Sequence, residues 1–140
     1  MIVYPIVWQT FPAIAAMALK AVTQGLTTSI AHLCQGDLNR ITPKLIAEAA
    51  HRGDEIAKDI YERAGYYLGV AAANVCVAIG PRRIILAGGV SQAGDLLLEP
   101  IRRTLRARVT VMPVEQVEVV QSQLGNQAGM IGVACWAAEH

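Results

Sequence analysis

Charge is scarce in this chain. Asp, Glu, Lys and Arg make up 16% of its 140 residues, against roughly 25% in ordinary soluble domains. With 54% hydrophobic residues and a mean hydropathy of +0.38, there is too little polar surface for a comfortable monomer. A large apolar face is therefore expected to meet a second copy or a missing partner lobe. The net charge of +1 supplies no global field for nucleic acid or an anionic membrane. Locally, the six arginines between Arg82 and Arg108 face only Asp95 and Glu99, a net of +4. No aromatics are interleaved with them, so the run reads as a solvated helix face rather than a nucleic-acid track.

Metal-clip spacing is missing too. Cys34, Cys76 and Cys135 are odd in number and far apart, with no CxxC or CxC pair, and His32, His51 and His140 show no ligand spacing with them. A closed zinc site is excluded, and the thiols read as small buried hydrophobes in a reducing compartment. The apolar start, residues 1–19, is interrupted by Pro5 and Pro12, carries Gln9 and Thr10 mid-run and has no preceding basic residue. Neither a signal peptide nor a membrane helix fits, so a cytoplasmic protein is expected.

At this length one domain with a real core is expected. Residues 2–7 allow a short strand, with Pro5 confining it to an edge. An alanine-rich helix follows from Pro12 to about Gly25, and a second helical piece over residues 27–34. Thr42 and Pro43 mark a helix start, a hydroxyl at the N-cap and proline at N1, and Asp54 caps the next helix. That helix, to about Ile79, is the longest element. Its front half is amphipathic, with Ile56, Ile60, Ala64, Tyr67 and Leu68 inward. No charge occurs between Arg63 and Arg82, so the back half is expected to be surrounded by protein. Gly65, Gly69 and Ala73 would let a neighbouring backbone come close. Asn74, on this half, must find a backbone or ligand partner, since an unpaired buried amide costs about 1–3 kcal/mol.

The stretch ANVCVAIGPRRIILAGGVSQAGDLLLE organises the rest. It reads as a helix end, a Gly80-Pro81 break, a strand over residues 83–87, the pair Gly88-Gly89, and a helix start between Ser91 and Asp95. This order places a ligand at the carboxyl end of a strand in α/β folds. Glycine lets the backbone take positive φ and lets a flat or anionic group approach its amides, while the helix start adds donors and a dipole. A tight turn that binds nothing has the same sequence. Beyond it, residues 95–98 and 101–107 form a helix in two parts, with Pro100 as N1 of the second. Residues 109–112 and 117–121 read as strands, and residues 126–138 as a closing helix whose glycines suit intimate packing on the sheet or the long helix. Strands alternating with helices make the class α/β.

The segments ITPKLIAEAAHRGDEIAKDIYERAGYYLGVAAANV, GPRRIILAGGVSQAGDLLLEPIRRTL and LGNQAGMIGVACWAA resemble, in order and spacing, the carboxyl-terminal half of the ROK family of sugar kinases and sugar-responsive repressors. The resemblance covers residues 12–138. It implies the C-terminal lobe of an actin-like, ribonuclease-H-like ATPase fold, with a long buried helix and a small sheet. Nucleotide would lie between two lobes and a hexose deeper in the same cleft. Gly88, Gly89, Val90 and Ser91 would contribute to the adenosine and phosphate side.

Several family motifs have no counterpart in the chain. These are the Asp-x-Gly-x-Thr phosphate loop, the second glycine-rich phosphate segment, the Asn-Asp that supplies the base, the Cys-x-Cys-Gly zinc signature and the sugar-gripping Glu-x-Gly-His. Residues 12–15 resemble the family's segment just after the zinc cysteines, whereas residues 1–11 do not resemble the segment that should precede it. The expectation is a truncated member: an atypical head over residues 1–11 and a ROK-like lobe over 12–140. It has no catalytic residue, no zinc, weak or absent ATP binding and no sugar phosphorylation by itself. Asp95 and Glu99, the acids nearest the turn, serve as helix partners. The alternatives are the effector and oligomerisation lobe of a ROK repressor, or a ligand-free, self-associating remnant. No nucleic-acid or membrane partner is expected in any of them.

Overall fold

The computed structural model describes residues 10–139, so the short strand expected over residues 2–7 and most of the atypical head lie outside the described residues. Six α-helices and two strands succeed one another in the order α1 (Thr10–Thr23), α2 (Ser29–Leu33), α3 (Pro43–His51), α4 (Glu55–Ile79), β1 (Arg83–Leu86), α5 (Asp95–Arg108), β2 (Glu118–Gln121) and α6 (Ala128–Glu139).

Local chemistry sets the helix starts. Thr42 Oγ1 accepts from the Leu45 amide ahead of Pro43, and Asp54 Oδ1 accepts from the Ala57 amide. Each satisfies an amide that the first helical turn leaves without a partner. The core then forms where the inward faces meet, with Ile14, Ile30, Ile46, Tyr61, Leu97, Ile101 and Leu105 sealed from solvent. Tyr61 anchors α4 to α3 by donating its hydroxyl to the Pro43 carbonyl at 2.8 Å, and burial pushes its phenol up to about 12.

The expected close approach at Gly65 and Gly69 is the seam between α4 and α5. A Cβ at Gly65 would lie 2.6 Å from Pro100 Cβ and 3.0 Å from the Leu97 carbonyl oxygen; at Gly69 it would lie 2.5 Å from Thr104 Cβ. Pro100 is therefore not the start of a second helix. It sits inside a continuous α5, its ring laid against Gly65, and the helix tolerates one absent backbone bond.

Other expectations are corrected. Tyr67, expected inward on the front half of α4, is 64% exposed. The back half is not surrounded by protein: Val77 and Ile79 are exposed, and Asn74 also faces solvent. Residues 109–112 form no strand, because Val109 turns inward as the cap of α5 while Val111 is exposed. In the closing helix Met130 is 71% exposed and Cys135 is also exposed, unlike the buried Cys34 and Cys76. Burial also pushes the Cys76 thiol up. No helix among the described residues is long and apolar enough to cross a membrane.

β1 and β2 pair in parallel with Arg83 opposite Glu118 and Leu86 opposite Gln121, as expected of strands joined through a helix. The arginines of α5 hold this arrangement together. Arg102 donates to the Val119 carbonyl and to Glu99, covering the outer edge of β2. Arg103 pairs with Glu62, and Arg108 lies over the Tyr66 ring. Part of the run thus has a structural duty.

Candidate functional site

The parallel register brings both strands to an end at the same level, and each leaves through a glycine turn. After β1 the backbone passes Gly88 at φ 93° and enters a 3-10 helix, Gly89–Ala93. After β2 it passes Ser122 and reaches Gly125 at φ 52°, where a second 3-10 helix, Gly125–Gln127, leads into α6. Two bonds carry the ladder beyond the strands. The Ser122 amide donates to the Leu86 carbonyl at 2.7 Å, and the Gly88 amide donates to the Gly125 carbonyl at 3.4 Å. In the sequence the Leu-Gly-x-x-Ala-Gly run suits packing and carries part of the family resemblance, and no local signal places Gly125 beside Gly88. The parallel pairing does.

Of the four expected ligand residues, Gly88 is half-buried and Gly89 exposed, while Val90 and Ser91 are 4% and 3% exposed. The Ser91 hydroxyl and amide both donate to the Gly88 carbonyl, at 2.7 and 3.2 Å. The side chains of Val90 and Ser91 therefore build the turn from beneath. At the surface the turn offers Gly89 and the half-buried Gly88, and no charged residue occurs between Arg83 and Asp95. Such a surface suits a flat or anionic group.

α5 starts at Asp95, with Gly94 as its N-cap, within the expected span of residues 91–95. The 3-10 helix Gly89–Ala93 lies between it and the glycines, so the donors nearest the glycines are those of the shorter element. Asp95 lies in the first turn of α5 and, like Glu99, faces Arg102. Neither points a free carboxylate at the glycines.

Two grooves lie elsewhere. One of about 260 Å³ runs between α5 and β2, lined by Arg102, Arg106, Glu115 and Glu118 among others. The other, about 380 Å³, lies over Thr28, Ser29, Arg52 and Asp54. The Gly88–Gly89 turn lines neither. Burial alone would raise the Asp54 carboxyl, but hydrogen bonds from Ser29, the Ala57 amide and Thr28 outweigh it and hold it at about 2. Among the described residues no group of three or more His, Cys, Asp or Glu side chains is gathered to hold a metal.

The sequence matches the profile of the ROK family over residues 13–140. It is similar to the glucokinase of Halalkalibacterium halodurans, 36% identical over 119 residues, covering 85% of this chain and 36% of the relative. The Escherichia coli DNA-binding transcriptional repressor Mlc is 30% identical over 94 residues, 67% of this chain and 23% of the repressor. Among solved structures, a ROK family glucokinase from Streptomyces griseus in complex with glucose and AMPPNP superposes with a TM-score of 0.77 at 29% identity, covering 92% of this chain and 42% of that one.

Proposed function

Because this chain belongs to the ROK family and has the actin-like ATPase fold of its sugar kinases, we propose that it is the carboxyl-terminal lobe of a glucokinase-like sugar kinase and carries one wall of an ATP cleft. The observation behind this reading is the Gly88–Gly89 turn, which has no side-chain cap and lies at the carboxyl end of a parallel strand. On this reading Gly88, Gly89, Val90 and Ser91 meet the adenosine and phosphate side of the nucleotide. Gly89 acts through its amide, Gly88 by presenting no Cβ, and Val90 and Ser91 support the turn from below, Ser91 by holding the Gly88 carbonyl. The ATP phosphoryl group is the chemistry the ligand would supply.

Phosphoryl transfer is positioning plus charge stabilisation and needs a base within reach of the attacking hydroxyl. Asp95 and Glu99 face Arg102 instead, and the 140 residues hold no Asp-x-Gly-x-Thr or Asn-Asp. These residues alone therefore do not phosphorylate glucose and bind no zinc. The bare faces of α4 and α6 receive an N-terminal lobe or a second copy, in a cytoplasmic protein.

Calorimetric titration tests the reading. ATP binds with Kd of about 1 mM or weaker, some −4 kcal/mol, and Gly88→Val removes that binding; glucose neither binds nor turns over. Turnover by the pure chain, or ATP binding indifferent to Gly88→Val, contradicts the proposal. The similarity to Mlc favours a second reading, the effector lobe of a sugar-responsive repressor, and a DNA-binding module encoded ahead of this segment would select it. Absence of any ATP binding at millimolar concentration would leave the self-associating remnant.

A further inference from the structure

We infer that Gly125 is a positioning residue for the Gly88–Gly89 turn, so that the turn after β2 is a second, necessary part of the same site. This rests on the nucleotide reading above.

Gly88 is held from two directions. Its carbonyl accepts from the amide and the hydroxyl of Ser91 on its own segment, and its amide donates across the sheet to the Gly125 carbonyl. With both of its backbone groups engaged, Gly88 offers a ligand no donor. The amide left for one at the surface is that of Gly89, which begins the 3-10 helix Gly89–Ala93. Its direction is fixed by Gly88, and the cross-sheet half of that fixing comes from Gly125.

The Gly125 carbonyl faces Gly88 because Gly125 is left-handed, φ 52°. Space is not the constraint, since the nearest atom to a Cβ built there is Gln92 Nε2 at 3.9 Å. A residue that avoids positive φ would rotate the carbonyl away. Asparagine visits the left-handed region readily, whereas a β-branched residue does not.

Amide-resolved NMR of the whole 140-residue chain, titrated with ATP, tests this. In the wild type the Gly88 amide exchanges slowly, and ATP shifts the Gly89 resonance far more than that of Gly88. Gly125→Val removes the Gly88 protection and weakens the ATP response by about tenfold, the equivalent of one net hydrogen bond. Gly125→Asn restores both. If Gly125→Val does not fold, Gly125→Ala carries the same comparison. Rapid exchange of the wild-type Gly88 amide overturns the inference. So does an ATP response that Gly88→Val abolishes and Gly125→Val leaves intact, and in that case the nucleotide reading survives. A wild-type chain with no ATP response at millimolar concentration brings down that reading and the inference together.

Discussion

Asp54 and Gly88 each come after a glycine-marked break or strand end and lead into a helix, yet the chain closes one of these corners and leaves the other open. At the first, Asp54 Oδ1 takes the Ala57 amide, while Oδ2 takes the Thr28 hydroxyl and both the amide and the hydroxyl of Ser29. An ionised carboxylate has about four lone-pair sites, and here all of that capacity has partners. One side chain thus caps α4 and ties down the start of α2. At the second corner Val90, Ser91 and Ala93 are buried, Gly89 is exposed, and the N-cap is a glycine with no side chain to close the turn. A corner whose polar capacity is filled is structural even where it lines a groove of about 380 Å³. A corner that keeps donors in reserve is where a ligand belongs.

The contrast can be broken from the closed side first. Gly69→Val forces a Cβ into Thr104 and toward the Ile101 carbonyl, 3.0 Å away, and is expected to cost about 3 kcal/mol, the upper end for overpacking. A urea midpoint unchanged from wild type would mean that the α4–α5 seam is looser than its geometry. Asp54→Ala removes the cap of α4 and the bonds that tie Thr28 and Ser29 to it, and should cost about 2 kcal/mol.

The pH dependence at Asp54 has a definite sign. Its folded pKa, about 2, lies below the ordinary 3.8, so its contribution is fully present above about pH 5 and is lost as pH falls through about 4 towards about 2. Wild type and Asp54→Asn should therefore converge in stability on acidification, and a gap that persists at about pH 2 contradicts the role of the ionised carboxylate at this corner. The smallest effect belongs to the uncovered face: Tyr67→Lys, at a 64% exposed site, should alter the stability of a monomer by no more than about 0.5 kcal/mol. A larger loss, accompanied by a drop in mass by light scattering, would show that the face is covered in solution.

Much of this architecture is legible because the signals are local. Thr42-Pro43 and Asp54 carry their capping chemistry within one helical turn, and α3 and α4 begin where those residues direct. The β-branched runs before Gly88 and after Pro113 give β1 and β2 to within a residue. Gly65 and Gly69 announce a close neighbour without naming it, since only packing selects Pro100 and Thr104 as the atoms opposite. The same limit explains the failures. The absence of charge from Ala64 to Pro81 suggests burial on all sides, but an uncharged face states what the residues tolerate and not what covers them. The strand expected over residues 109–112 shows local β-propensity overridden by the helix end that Val109 seals.

The four residues of the ligand turn are readable as a strand-to-helix glycine turn and, through family likeness, as a nucleotide contact. That Val90 and Ser91 face inward, that Asp95 and Glu99 are engaged by Arg102, and that Gly125 adjoins Gly88 required the fold. The sequence alone determined where helices start and stop, where backbone must be free of Cβ, and which family the chain resembles, because capping, φ preference and motif spacing act over a few consecutive residues. Tertiary structure decided which side chains are already engaged and which backbone donors remain. Hydrogen bonds between segments far apart in the chain depend on strand register and helix packing, and no local pattern encodes their partners.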